Sequence, residues 1–389
     1  MTGIVFGIVD FTFLIWYVIF STFFLHWLCK RHAEFPIKII APFYIFHTLI
    51  SLMYCWLSFI VSADSTTYFQ GALSPAVPGA LLVSSNFIRA ILRVFITYFH
   101  LGYVSCFLIF NFLGIIGILL FYWVVKRNIQ HPKTLKILNF SLFLPGLSYW
   151  TCAIGKDALI MTAIGAITYG FSDSKNIRLV TGISGLILAF MVRPHIYLIL
   201  VAALFLAFQF SRSRSVAALG SKVVLMGLLM VSAYLSYPFI VKFVGLGEVS
   251  SVAISEFVES RESKNISNSS IDFSNYSVPE KYFAYLFRPL FFDARNGMMM
   301  VASTENIILL LFVLSTLPAF RLFFSLFRES FGFRFQVIAL IIFINIFPLT
   351  NSNLGIAVRQ KYMILPTLFF LCIVLKDRHL LSKSPELPC

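Results

Sequence analysis

The strongest constraint on this chain is a series of apolar runs, each near the length that crosses a lipid bilayer and each closed by a polar break. A hydrocarbon core of ~30 Å calls for about 20 apolar residues in an α-helix. With no water in that core, only helices or a closed barrel satisfy every backbone N–H and C=O. The short alternating segments of a barrel are absent from the sequence, so the pattern predicts an all-α, polytopic transmembrane fold. Composition agrees: 59% of the residues are hydrophobic and 12% charged, and the mean hydropathy is +0.89. A water-soluble domain has no way to hide that much apolar surface.

Between polar breaks the runs predict about eleven spans, near 4–28, 37–61, 99–125, 134–150, 157–171, 177–192, 195–210, 222–243, 305–322, 335–349 and 361–376. They make a single integral membrane domain over 1–389, without internal repeats or a soluble domain. The first run is too long for a cleavable signal peptide and ends in Cys-Lys-Arg-His. A net charge of +14 invites a nucleic-acid partner, but the basic residues punctuate the ends of apolar runs instead of forming a patch, which excludes it. Eighteen Lys and Arg face five acidic residues on one side, in the loops around Lys30, Lys126, Arg178, Arg212, Arg321 and Lys376; the other side carries twelve and eleven. The first side is therefore cytoplasmic, with the N-terminus outside and the C-terminus inside. The cysteines show neither CxxC nor Cys/His spacing and are expected as small buried hydrophobes, Cys152 beside a polar tip being the exception.

Two outer segments are long. The first, 62–98, holds Asp64 and Tyr68, then a piece whose Arg89, Arg93 and His100 fall near one helical face and suit the outer interface. The second, 245–304, begins Ser/Asn-rich and turns aromatic over 282–292, as a lid that packs on something would.

Four consecutive runs between 134 and 210 have only about 15–17 residues, a reach of roughly 22–26 Å. They predict two short hairpins with outer tips at Gly155-Lys156-Asp157 and Arg193-Pro194-His195. Both tips would be recessed, and ionisable groups at such depth face a cavity and mark function. Asp157 also suits a helix cap, Lys156 suits snorkelling, and Arg193 suits a structural ion pair with Asp157. Two further outer clusters follow, Phe287-Arg288-Pro289 through Asp293, and Arg359-Gln360-Lys361-Tyr362. Arginine matches phosphate oxygens with a two-pronged fork. An outward cavity lined by Lys156, Arg193, Arg288, Arg359 and Lys361 would suit an anionic, membrane-embedded ligand such as a lipid-linked diphosphate; ordinary anionic headgroups would satisfy the same groups. Asp10 and His47, alone in apolar runs, are expected to bond between helices. Asp64-Ser-Thr is not a DxD pair, no HExxH or clustered histidines occur, and no serine elbow is present, so neither a metal nor another cofactor is expected.

The order Leu-Ser-Tyr-Trp150-Thr-Cys-Ala-Ile-Gly155-Lys156-Asp157, Arg193-Pro194-His195, Phe287-Arg288-Pro289 and Asn-Leu-Gly-Ile-Ala-Val-Arg359-Gln360-Lys361-Tyr362 resembles Wzy-type repeat-unit polymerases of bacterial polysaccharide clusters, which are similar in architecture to O-antigen ligases. The resemblance covers most of the chain from about residue 60 onward. It implies a metal-independent, inverting glycosyltransferase in the bacterial inner membrane, joining undecaprenyl-diphosphate-linked repeat units at the periplasmic face. By that resemblance Arg193, Arg288 and Arg359 hold the diphosphate and His195 or Asp157 deprotonates the acceptor. Lys156 and Lys361 add positive potential, and the 282–292 aromatics stack on sugars; Asp64 and Tyr68 are further candidates for the diphosphate or sugar, although an Asp in an exposed loop is usually just solvated. Membrane lipids and a chain-length regulator are the implied partners. A flippase for the same lipids, a polyprenyl-phosphate-sugar transferase and a non-catalytic assembly partner remain the alternatives. A eukaryotic lumenal variant would be glycosylated at Asn265 or Asn268.

The charge asymmetry sets an expected outcome. In intact cells a cysteine placed at Lys133 stays protected from a membrane-impermeant maleimide, and one placed at Ser74 reacts; the opposite pattern overturns the orientation.

Overall fold

The computed structural model describes residues 7–61, 63–75, 82–172, 177–210, 276–350 and 354–383, with single positions between 220 and 237. The expected span at 222–243, the Ser/Asn-rich stretch and both candidate glycosylation sites fall wholly or mostly outside these residues. Among the described residues the regular structure is entirely helical. Six helices are long and apolar enough to cross a membrane, and one bent pair adds a seventh candidate. The chain is thus a helical membrane protein, packed as two compact units, Met1–Arg193 and Pro194–Cys389.

The first unit comprises α1 (Ile8–Arg31), α2 (Ile37–Ile60), α3 (Asp64–Leu73), α4 (Ser85–Phe99), α5 (Tyr103–Arg127), α6 (Pro132–Ser141), α7 (Pro145–Thr151), α8 (Lys156–Gly170) and α9 (Leu179–Val192). Its spine is α5 against α8. A Cβ added to Gly117 would strike the Met161–Thr162 backbone, and one added to Gly165 would strike Gly117 itself. Glycine is what lets two helix backbones approach so closely, the commonest way helices associate in lipid. The same device joins α8 to α9: a Cβ on Gly170 meets the Gly182 backbone, and one on Gly185 meets Ala163 and Ile167. On the outside, α1 and α2 leave Trp16, Phe23 and Trp56 exposed, as lipid-facing helices do.

The isolated polar residues of the apolar runs act between helices, as expected. Asp10 accepts from the Gly102 N–H at 2.8 Å and from the Ser105 hydroxyl, tying α1 to the start of α5. His47, fully buried, meets Asn111 at 2.7 Å and Thr151 at 3.1 Å, and Asn111 donates onward to Tyr17 at 2.9 Å. Ser51 donates to the Cys152 carbonyl at 3.1 Å. This network binds α7 to α2 and α5 next to the point where the chain turns into α8. Cys152 is fully buried, like the other interior cysteines Cys55 and Cys106.

The apolar pattern at 134–150 resolves differently from one span. Pro145 opens a new helix, so the run divides into α6 and α7. A bend of 106° then separates α7 from α8. The expected tip at Gly155-Lys156-Asp157 is the elbow of that broken element. Likewise the long loop at 62–98 contains two helices, α3 and α4.

The second unit comprises α10 (Pro194–Gln209), α11 (Val278–Phe287), α12 (Gly297–Leu314), α13 (Phe323–Glu329), α14 (Phe331–Thr350) and α15 (Leu354–Lys383), with 3-10 turns at Phe291–Asp293 and Leu317–Leu322. Arg334, expected among the cytoplasmic loop charges, is buried at the start of α14. It donates to the carbonyls of Phe327 at 2.9 Å and Arg328 at 2.7 Å, closing the end of α13.

Gly117→Leu or Gly165→Leu is expected to lower stability by at least roughly 1–3 kcal/mol, the usual overpacking cost, because backbone cannot yield as a side chain does. Gly297→Ala, at a helical position with open space around it, is expected to be neutral or stabilising by about 0.4–1 kcal/mol. Thermal unfolding in detergent checks both.

Candidate functional site

In the first unit α3, the start of α8 and the end of α9 converge. Asp157 lies in the first turn of α8, where the helix dipole favours a carboxylate. Arg193 caps α9, its own N–H bonded to the Ala189 carbonyl, and Pro194 prevents that helix from running on. The Arg193 guanidinium donates to the Asp157 carboxylate at 2.5 Å, with both side chains only 11% accessible. The pair considered from sequence as structural is therefore formed. Lys156 precedes it at the elbow, half-buried. The Tyr68 ring sits behind the elbow: a Cβ on Gly155 would come 3.8 Å from it. Asp64 lies exposed in the first turn of α3, one turn from Tyr68.

The amphipathic segment is held by arginines. Arg93 donates to the carbonyls of Ala72 at 3.3 Å and Ser74 at 2.8 Å, capping the end of α3, and Arg89 lies against Gly71. The Ser84 N–H bonds the Met191 carbonyl at 2.7 Å, fixing the entry to α4 two residues before Arg193. His100, grouped with the two arginines by helical spacing, instead ends α4 in the left-handed region with φ 52°.

In the second unit Arg288 leaves α11 and is held from three directions. Its Nε donates to Asp293 at 2.8 Å, a second N–H reaches the other carboxylate oxygen, and Nη1 donates to Tyr276 at 2.7 Å. Asp293 also accepts the Leu290 N–H at 2.9 Å. The Asp293 hydrogen bonds hold the Arg288 guanidinium above its ordinary value. Burial works to raise the Asp293 carboxyl, but the Arg288 and Leu290 hydrogen bonds and the Arg288 charge outweigh it and hold that carboxyl below its usual value. Arg288 thus has its fork filled by a carboxylate of its own chain.

Lys361, placed at an outer membrane end from sequence, is 2% exposed and bonded to the Asn306 side chain. Asn306 donates to the Pro289 carbonyl at 2.8 Å, and Tyr362 donates to Glu305 at 2.5 Å. Lys361 and Asn306 thus connect α15 and α12 to the Arg288 loop, and Tyr362 with Glu305 forms a second buried pair between the same two helices. Arg359 lies one turn before Tyr362, half-buried. The His195 ring, in the first turn of α10, lies 6.4 Å from that of Phe347. Of the aromatic stretch, Tyr285 is buried and stacks on Phe347, and Tyr282 donates to Asn345 at 2.9 Å; Phe283, Phe291 and Phe292 are exposed.

The structure therefore gathers Tyr68, Lys156, Asp157 and Arg193 within the first unit. Arg288, Lys361 and their partners gather within the second, which also holds His195 and Arg359. Asp293 closed the cluster read from sequence, whereas Glu305 and Asn306 escaped the sequence analysis because the ninth span was started at 305. Asn296, whose side chain accepts the Met299 N–H at 2.9 Å, was the available signal for an earlier helix start. That start carries Glu305 and Asn306 more than two turns inside α12.

Losing the Asp293 hydrogen bonds, as in Asp293→Ala, is expected to destabilise by roughly 1.5–3 kcal/mol, the usual worth of hydrogen bonds to charged groups. Because its folded-state value is depressed, the Asp293 contribution is present above the ordinary carboxylate range and is lost as pH falls through the lowered value. The melting temperature of Asp293→Asn is accordingly expected to fall less on acidification than that of the wild type.

No protein-family model matches the chain, and neither does any curated protein or solved structure.

Proposed function

We propose that the chain polymerises undecaprenyl-diphosphate-linked oligosaccharide repeat units at the periplasmic face of the bacterial inner membrane. On this proposal its N-terminus lies outside, and a chain-length regulator is its partner. The observation that carries the proposal is the Arg193–Asp157 pair, nearly inaccessible where the end of the short apolar helix α9 meets the elbow of a broken element. Charges are kept at such a place in a membrane protein at a cost that function justifies. Chemically, Asp157 or His195 accepts the proton of an acceptor hydroxyl as its oxygen bonds the anomeric carbon. The bond to undecaprenyl diphosphate breaks on the opposite face, inverting the centre, and arginine fixed in place takes up the charge that develops on the leaving group. Arg288 and Arg193, each paired with a carboxylate at rest, exchange that partner for phosphate oxygens. Arg359, Lys156 and Lys361 add to the positive potential, and exposed Phe291 and Phe292 offer faces for sugars.

A transporter of the same lipid-linked sugars is the second reading, favoured by Glu305, Asn306, Lys361 and Tyr362 buried between two helices long enough to span.

Surface-glycan length in a deletion strain separates the two. A polymerase leaves single repeat units that wild type restores to a ladder. Arg193→Ala or Asp157→Asn, at equal protein levels, reduces polymer roughly a hundredfold, as loss of a fixed charge-stabilising group does. Loss of all surface glycan in the deletion favours transport, and an unchanged ladder removes both readings.

A further inference from the structure

The opposite end of the first unit holds a second cluster of cations that the proposed chemistry leaves unused. Trp123, near the end of α5, carries the Arg127 guanidinium 4.7 Å from its ring and the Arg178 guanidinium also at 4.7 Å; Arg178 lies 4.5 Å from Tyr169 as well. Lys126 stands beside them, donating to the Glu34 carbonyl at 2.8 Å. The Glu34 carboxylate, 3.9 Å from Arg127, is the one anionic group recorded against these three cations among the described residues. The cluster therefore retains a net positive charge. The Trp123 indole N–H is buried and has no hydrogen-bond partner among the described residues. A donor removed from water without an acceptor costs free energy until one arrives.

Below this cluster runs an apolar groove lined by Phe24, Leu28, Phe35, Ile116, Leu120 and Trp123. Along α1 its lining extends from Phe24 to His32, a length of about 12 Å at helical rise, most of one leaflet of a ~30 Å core. A groove that runs most of one leaflet, lined mainly by apolar side chains and crowned by cations, complements the shape and charge of an anionic phospholipid better than those of a soluble anion.

We propose that this groove binds one anionic phospholipid of the leaflet that borders the basic loops. Its acyl chain lies along Phe24, Leu28 and Leu120. Its phosphate sits against Arg127 and Arg178, the Arg127 side chain being 54% accessible and free to admit it, and a phosphate oxygen accepts the Trp123 N–H. Paired cations between spanning helices on the basic side are a known means of holding such headgroups. The site does not depend on the proposed polymerase activity.

The test is binding of dioleoylphosphatidylglycerol and of dioleoylphosphatidylcholine to the full chain in detergent, read by native mass spectrometry. Wild type is expected to hold one phosphatidylglycerol with a preference of roughly tenfold or more over phosphatidylcholine. Arg127→Gln with Arg178→Gln is expected to abolish that preference. Leu120→Trp, which fills the groove and leaves both guanidiniums in place, is expected to weaken binding of either lipid. Equal binding of the two lipids by wild type, a preference retained by the double variant, or full binding by Leu120→Trp overturns the proposal. So does displacement of the lipid by glycerol 3-phosphate at equal concentration, which would show a phosphate site without a tail groove.

Discussion

Where Gly117 of α5 meets Gly165 of α8, two helix backbones touch with no side chain between them, and the rest of the first unit is arranged around that contact. In hydrocarbon no hydrophobic force drives helices together, so close backbone packing and interhelical hydrogen bonds must do it. With α8 locked to α5, and α9 locked to α8 through Gly170, Gly182 and Gly185, the start of α8 and the end of α9 are held at one level. That is why Asp157 and Arg193, thirty-six positions apart, meet at 2.5 Å. The His47, Asn111 and Thr151 network secures α7 on the other side of the elbow, so Gly155 and Lys156 turn at a defined place.

The second constraint is that charge out of water must be matched. Each buried or half-buried ionisable group whose contacts are described has a partner: Asp10 with Ser105 and backbone N–H groups, Arg288 with Asp293, Lys361 with Asn306, Tyr362 with Glu305, Arg334 with helix-end carbonyls. An unpaired charge in such surroundings costs several kcal/mol. Arg193 and Arg288, two of the arginines assigned to phosphate from sequence, are therefore occupied in the resting protein. A ligand that recruits them has to offer at least as good an acceptor as a carboxylate, and a diphosphate does. At the basic end the balance is different: three cations share one carboxylate, and an indole N–H is left unmet.

Helix existence was legible wherever the apolar run was long. The runs at 4–28, 37–61 and 99–125 correspond to α1, α2 and α5 within a few residues. Reading failed where length and hydropathy competed with local chemistry. Pro145 divided one run, and within 62–98 the amphipathic piece that forms α4 was legible while α3, only 10 residues long, looked like a loop. The start of α12 was missed because Asn296 and Gly297 read as loop residues instead of a cap and a first turn. The candidate residues of the first site were legible one by one, since Lys156, Asp157 and Arg193 are conspicuous at the ends of apolar runs. In the second unit the amide partner of Lys361 and the carboxylate partner of Tyr362 were not, because a single Glu or Asn inside a helix scarcely alters the hydropathy of its window.

By itself the sequence determined that this is a helical membrane protein and which few ionisable residues stand against the apolar runs. Those properties are sums over local composition, and a bilayer reads composition directly. Only the tertiary structure decided that Arg193 pairs with Asp157, that Asp293 fills the fork of Arg288, that Lys361 is buried on Asn306, and that Arg127 and Arg178 share one tryptophan. Such pairings depend on which helix backbones can touch. That is settled by glycines and small residues far along the chain from the charges they bring together.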